Sequence, residues 1–548
     1  MGEPGGPALR KTNVAKLGAS PFDVLVLGGG INGAVAAAAL SARGARVALV
    51  DRGDFAGVTS QSSSNLAWGG IKYLETYEFR LVHGLCKARN QLLRSYPASI
   101  QEIRFYVSHE RGFRHPRWKL LLGSWLYWAI GHCFTRRPRL LSVADVEREE
   151  PIVDTGRLDG GFEYSDAYFH DNDARFTWGF VRSALDHGCI AANYVEALGA
   201  EDGPAGWVTR ARDLTTGGAL EIRSRVLVNA CGPHADEMNA ASGVRTAHRH
   251  VLSKGVHLLV DRLTPHERVL TFFADDGRLF FVIPMGVRTC IGTTDTPVER
   301  PEVQVTPADR RFVLDNINKR LRLPRPLAEE DVIAERCGVR PLVVAAGAGP
   351  AAADWTQLSR RHVVENDRER RHLTVFGGKL TDCLNVGEEI ADEVRRLGVA
   401  LPYPDAPWFG EPHPKVREQY FHQARLMDLD AMTAPRASER LSTRLWRRYG
   451  AGAFPMLDAI RSDPAMAEVI IETSEYVRAE LDEAARREMV VRLEDFLRRR
   501  SKIALVVPHE EIRRAAGLRE ACRILFGDDA DARIAEYFGG PDRRASSA

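Results

Sequence analysis

The stretch FDVLVLGGGINGAVAAAALSARGARVALVDRGD, residues 22–54, restricts the fold more than any other part of the chain. Residues 23–27 form an apolar run of buried-strand type, and Gly28, Gly30 and Gly33 follow in GxGxxG spacing. An Ala-rich helical pattern then leads to a second apolar run, residues 45–50, which ends in Asp51. The glycines permit a tight turn, close approach of backbone to a pyrophosphate, and close packing of helix on strand. The helix N-terminus attracts phosphate charge, and Asp51 can accept a hydrogen bond from a ribose hydroxyl. The stretch therefore predicts an α/β domain of Rossmann-like, dinucleotide-binding type. By itself it does not separate FAD from NAD.

Two later segments repeat the strand–glycine–helix pattern. SRVLVNACGPHADEMNAAS passes through Cys231, Gly232 and Pro233 into a helix. HLTVFGGKLTDCLNVGEEIADEVRRLG passes through Gly377 and Gly378 into a helix whose first turn holds Lys379, Leu380 and Thr381. Taken singly, each is an ordinary βα turn that needs glycine. Taken with the first, they suggest one extended cofactor across a domain assembled from separated segments, which suits FAD better than NAD. The helix start after Gly377–Gly378 offers free N–H groups and a positive dipole end, suited to negative charge on a flavin ring or a phosphate.

A chain of 548 residues is too long for one ordinary core, so two or three domains are expected. A net charge of +2 gives no reason to expect nucleic acid as a partner. The eight cysteines are scattered without metal-ligand spacing, so they read as reduced thiols of a cytosolic protein with no metal site. Residues 1–20 lack the apolar run of a signal peptide and read as a disordered leader. The most apolar window, LLLGSWLYWAI at 120–130, is too short to span a bilayer. Its flanks carry Arg114, Arg117, Lys119, Arg136, Arg137 and Arg139, and the segment holds Trp118, Trp125, Tyr127 and Trp128. That combination suits a membrane interface, and equally a core helix with solvated ends. A Pro-rich stretch, 401–414, reads as a linker to a helical region at 415–540, where Arg498-Arg499-Arg500 reads as a solvated helix end.

From about residue 22 to near the C-terminus the chain resembles the FAD-dependent (aerobic, respiratory) glycerol-3-phosphate dehydrogenases. The resemblance is carried by VLGGGINGA, TSQSSSNL (59–66), GGIKYLE (69–75), GFEYSDAYFHDNDAR (161–175), VNACGP (228–233), SKGVHLLV (253–260), FVIP (281–284), IGTTD (291–295), GVRPL (338–342) and FGGKLTD (376–382). It implies a D-amino-acid-oxidase-like fold: an FAD-binding Rossmann-like domain, an interleaved antiparallel-sheet substrate domain and an all-α C-terminal domain. The segments expected in the FAD-binding domain are about 21–85, 150–250 and 335–400, and in the substrate domain about 86–149 and 251–334.

The resemblance also implies roles. FAD would be bound non-covalently, with Thr59, Ser60, Ser63 and Ser64 wrapping the flavin. Lys72 and Tyr73 would face the substrate, Arg340 and Arg360 would hold its phosphate, and Lys379 would touch a substrate oxygen. His257 is the implied general base, since histidine titrates near working pH. The sequence departs from the family's usual HGGLRY: Trp68 stands for His and Lys72 for Arg, so a cation is kept and an imidazole is lost. The implied reaction is oxidation of sn-glycerol 3-phosphate to dihydroxyacetone phosphate, with electrons passed to a membrane quinone. The implied location is the cytoplasmic face, attached peripherally, with a homodimer among the allowed assemblies. Competing readings are another phosphorylated hydroxy compound or an amine as substrate, and a flavin-binding redox-sensing or scaffold subunit without turnover.

Overall fold

A computed structural model describes residues 5–113, 115–347, 361–435 and 437–539. The strand Phe22–Leu27 is apolar at all but one position and almost wholly buried, as a parallel strand covered on both faces must be. It pairs in parallel with Ala219–Asn229 on one side and Val47–Val50 on the other. His372–Phe376 and Ile190–Ala192 extend this parallel order outward, and Val363–Asp367 closes the edge antiparallel to His372–Phe376. The two later glycine turns thus leave from strands that flank the first one or lie next but one to it. Three sequence-distant turns converge at the C-terminal end of the parallel strands. The helices Ile31–Ala42, Asp173–Asp186 and Cys383–Arg396 pack over this sheet, and their alanines and valines form its main core with Phe180 and Trp408.

The second sheet has ten strands, mostly antiparallel, centred on the long strands Ile100–Glu110, Leu158–Phe169 and His248–Asp261. Its membership corrects the expected segment boundaries. Leu66–Ala67, Leu158–Phe169 and Ala334–Ala345 all belong to this sheet, although they fall, from residue 335 on in the last case, within the segments expected in the FAD-binding domain. A wholly buried strand reads the same in either sheet, because only its pairing partners differ. The buried Arg89–Asp166 pair, at 2.7 Å and with Tyr127 donating to the same carboxylate, pins the helix Phe79–Ser95 to Leu158–Phe169. Removing one member of such a pair costs about 3–5 kcal/mol.

Residues 5–17 are a helix, which corrects the expected disordered leader. Leu17 is fully buried, Asn13 Nδ2 donates to the Ala191 carbonyl at 2.8 Å, and Arg10 pairs with Asp213 at 2.5 Å. The anchors are mostly polar, so no apolar run announced them. Of the expected 401–414 linker, residues 401–413 form neither helix nor strand but are packed: Trp408 is buried beside Phe180 and its indole donates to Glu388 at 2.6 Å. From Pro414 onward the described chain is helical, with two apolar clusters of its own. Arg499 and Arg500 are buried and ion-paired to Asp54, so the expected solvated helix end is also corrected.

Candidate active site

The first glycine turn is built by close approach. A Cβ on Gly33 would stand 1.8 Å from the Gly28 carbonyl oxygen, so only glycine lets the helix start this near the strand end. Gly30 occupies the N-cap of Ile31–Ala42 in extended conformation, leaving the first N–H groups of the helix pointing outward. The amide of Ile31 donates to Ser60 Oγ at 2.9 Å, which ties the TSQSSSN segment to the turn. Asp51 accepts from Gly29 N at 2.6 Å and Gly53 N at 2.8 Å. Burial raises its carboxyl pKa, and these two amides oppose the rise. Beside Gly28 and Asp51 opens a cavity of about 470 Å³, bounded also by Gly53, Val58 and Cys231. A glycine cradle, a helix N-terminus, an acid at the next strand end and a cavity between them fit the nucleotide end of FAD.

The segment 59–65 is stiffened by its own bonds. Thr59 Oγ1 donates to the Val339 carbonyl at 2.8 Å, and Ser62 Oγ donates to the Cys337 carbonyl at 3.0 Å. Ser63 N donates to Asp173 at 2.8 Å, and Arg336 donates to the Ser63 carbonyl at 2.6 Å. Ser64 is half-buried. The Thr59, Ser60 and Ser63 hydroxyls all take part in bonds within the protein. What this segment offers a cofactor is therefore backbone groups and remaining lone pairs on a rigid frame.

The stretch 68–74 meets the third glycine turn. Gly70, at φ +82°, turns the chain into the short helix Ile71–Leu74, which buries Tyr73 and leaves Lys72 half-buried. Lys379 Nζ lies 4.3 Å from the Tyr73 ring centre and 5.6 Å from that of Trp68. Thr381 Oγ1 donates to the Trp68 carbonyl at 3.4 Å, and the Trp68 indole donates to Tyr164 at 3.0 Å. Gly377 and Gly378 both have positive φ, and Asn32 Nδ2 donates to the Gly377 carbonyl at 3.0 Å. Asn32 Oδ1 is buried with no protein partner. The third turn thus touches both the first turn, through Asn32, and the Trp68 loop, through Thr381 and Lys379. Cys231, in the second turn, borders the cavity beside Gly28 and Asp51.

Arg340 and His257 lie on neighbouring strands, in which Ser253 faces Arg340 and His257 faces Arg336. The Arg340 guanidinium lies over Gly255, where a Cβ would come within 2.3–2.6 Å of it. It donates to Thr293 Oγ1 at 2.9 Å, the Thr294 carbonyl at 3.1 Å and Asp295 at 3.3 Å, so the IGTTD segment orients it. His257 is buried, and neither ring nitrogen has a protein hydrogen-bond partner. Burial, with Arg340 and Arg336 nearby, pushes its pKa down to about 3, so the ring is neutral. Arg360 lies outside the described residues.

A family model described as FAD dependent oxidoreductase matches residues 23–391. The chain belongs to the FAD-dependent oxidoreductases. A second model, the C-terminal domain of alpha-glycerophosphate oxidase, matches residues 415–524. Glycerol-3-phosphate dehydrogenase 2 of Mycobacterium tuberculosis is 30% identical over 547 residues, covering 97% of this chain and 90% of that protein. D-erythritol 1-phosphate dehydrogenase of Brucella abortus is 32% identical over 377 residues, covering 67% and 72%. The glycerol-3-phosphate dehydrogenase of Bacillus halodurans, solved with FAD, shares the fold at TM-score 0.74 and 23% identity, covering 98% of this chain and 97% of that one. This FAD-dependent oxidoreductase thus has the D-amino-acid-oxidase-like fold with a helical C-terminal domain expected from its motifs.

Several residues that frame the site of this oxidoreductase were not singled out in the sequence. Asn32 stands inside GGGINGA, where only the glycines have a spacing rule. Asp173 stands inside the quoted HDNDAR and joins Ser63 to Arg336. His362 donates to Asp382 at 2.6 Å and to Glu389 at 2.9 Å, holding the start of Val363–Asp367 against the third turn. No local pattern marks it, because its partners are 20 and 27 residues away.

Proposed function

We propose that this protein oxidises sn-glycerol 3-phosphate to dihydroxyacetone phosphate and delivers the electrons to a membrane quinone. The observation that carries the reading is Lys379 lying over Tyr73 and Trp68, in whose loop Lys72 also stands, while the Arg340 guanidinium over Gly255 belongs to the strand whose Pro341 carbonyl comes up to Gly377. Several cations suit a phosphorylated substrate, whereas an amine substrate would need a single carboxylate anchor. The names of the relatives at about 30% identity point the same way.

FAD, when bound, supplies the hydride acceptor. It would be held non-covalently by the turns at Gly28–Gly33, Gly232 and Gly377–Thr381, with Asp51 on the ribose and Thr59, Ser60, Ser63 and Ser64 lining its path. Lys72 and the forks of Arg340 and Arg360 hold the substrate phosphate. Tyr73 and Trp68 wall the pocket, and Lys379 meets a substrate oxygen. His257 accepts the hydroxyl proton on a ring nitrogen. Its neutral form is the one a base requires; burial is the main cause that keeps it neutral, and the phosphate's negative charge offsets the lesser opposition of the two arginines to the imidazolium.

A second reading keeps the chemistry and lengthens the polyol. The Trp68 and Lys72 departures and the similarity to an erythritol phosphate dehydrogenase favour testing it. The test is anaerobic mixing of the flavin-loaded protein with glycerol 3-phosphate, a tetritol phosphate, unphosphorylated glycerol and an amino acid. Bleaching by glycerol 3-phosphate at the lowest concentration is the expected result. Preferential bleaching by the tetritol phosphate would move the assignment to the longer substrate. No bleaching by any alcohol would leave a flavin-binding subunit without turnover.

Peripheral attachment to the cytoplasmic face of the membrane belongs to the same reading. No helix among the described residues is long and apolar enough to cross a membrane. The helix Arg117–Ile130 buries only Ser124 and Tyr127, while Trp118 is 66% and Leu122 61% exposed. Trp125 and Leu126 extend this apolar face, and Lys119 is exposed beside it. An exposed Trp/Leu face with a basic border is what an anionic lipid surface binds.

A further inference from the structure

We infer that the helical C-terminal domain forms one wall of the FAD cavity, with Arg499 the positioning residue that closes the Asp51–Gln61 loop on the nucleotide; the inference rests on the FAD reading of that cavity. Arg492, Glu494 and Arg499 line the cavity together with Gly28 and Asp51. They come from a region some 440 residues further along the chain and precede or occupy the π-helical turn Asp495–Arg500. Such turns are wider than an α-helix and often mark functional places. Here three consecutive arginines reach a single segment of the FAD domain.

The contacts are specific. Asp54, three positions beyond Asp51, is buried and accepts from Arg499 Nε at 2.7 Å, from both Arg500 Nη atoms at 2.8 Å, and from Asn193 at 2.8 Å. Burial alone would raise the Asp54 pKa, and the two guanidiniums reverse that and lower it. At the other end of the loop Arg499 Nη1 donates to Gln61 Oε1 at 3.2 Å, and Arg498 donates to the Gln61 carbonyl at 3.2 Å. Gln61 adjoins Ser60, which takes the Ile31 amide at the helix start. Arg499 Nη2 completes the network on Asp495, which also accepts from Tyr194 OH at 2.7 Å. One guanidinium therefore holds both ends of the loop that runs past the cofactor cavity, and does so from another domain. A ligand bound between the loop and this wall stabilises their contact, and the contact strengthens binding by the same factor.

The test uses the full-length protein, stripped of FAD and titrated with it while flavin fluorescence and the melting of apo- and FAD-loaded forms are followed. Arg499→Ala is expected to weaken FAD binding by about 10- to 100-fold, the effect of losing charge-assisted bonds that hold the loop. The melting gap between loaded and apo forms should shrink with it. Gln61→Ala removes the far loop contact without leaving a buried charge unpaired. It should weaken FAD by a smaller factor with the apo melting point unchanged, which keeps the test usable if Arg499→Ala folds poorly. Arg513→Ala, on the exposed side of the same domain, should bind FAD like wild type. If Arg499→Ala and Gln61→Ala both bind FAD like wild type, and melting falls equally with and without it, Arg499 is only an interface staple and the inference is overturned. Wild-type protein with no affinity for FAD would overturn the assignment of the cavity as well, so the two failures are distinguishable.

Discussion

Arg340 can lie across the sheet because residue 255 has no side chain. A methyl group there would collide with the end of a flexible guanidinium rather than with backbone, so the side chain would move and the fold would not. Gly255→Ala is therefore expected to melt close to wild type while losing about 10- to 100-fold in kcat/KM for glycerol 3-phosphate, measured by dye reduction. Lys72→Ala should lose a similar factor, since a charge-assisted hydrogen bond is worth roughly 1.5–3 kcal/mol. Lys72→Arg should retain most activity, because a point charge is replaced by a fork that still reaches a phosphate oxygen. His362 makes a prediction in pH. Burial lowers its pKa, but its bonds to Asp382 and Glu389 outweigh that and lift it to about 9. A folded-state pKa above the unfolded value of about 6.5 means the protonated ring stabilises the fold fully below pH 6.5. That contribution is lost as pH rises from 6.5 through 9. Melting of wild type should fall over that window by more than melting of His362→Asn does.

At the scale of elements, the three glycine turns are where local sequence and tertiary position agree. Each strand–turn–helix could be read from its apolar run, its glycines and the helical pattern that follows, because parallel strands buried on both faces have little freedom in composition. Gly30→Val tests the first turn. The added side chain would fill the approach beside Ser60 Oγ, 3.3 Å from the new Cβ, so the purified variant should be colourless or nearly so. The helix Arg117–Ile130 was ambiguous in sequence, since Trp, Leu and flanking Arg serve a core or an interface alike. Only the packing shows that its Trp118 and Leu122 face outward. Trp118→Gln with Leu122→Gln should reduce sedimentation with anionic vesicles and leave glycerol 3-phosphate oxidation by a soluble dye unchanged. Unchanged vesicle binding would remove this helix from the docking surface.

At the scale of the whole molecule, the 401–414 stretch is seated on the FAD domain through Trp408, so the helical domain is not a freely hung appendage. Limited proteolysis of the native protein should spare this stretch, and Trp408→Ala should open it to cleavage. The sequence alone determined that a dinucleotide fold is present, that its glycine turns come in three, and, through its motifs, the oxidoreductase family with its helical C-terminal region. These depend on neighbours within a few residues, where glycine spacing and apolar period act. Only the tertiary structure decided which sheet Leu158–Phe169 and Ala334–Ala345 join, because a fully buried strand carries no mark of its partner. The leader became a helix for a related reason, since Arg10 and Asn13 find their partners some 180 to 200 residues away. Arg499 and Arg500, expected at a solvated helix end, are buried on the same ground. A charge can leave water only where an opposite charge meets it, and Asp54, more than 440 residues away, is placed there by the fold.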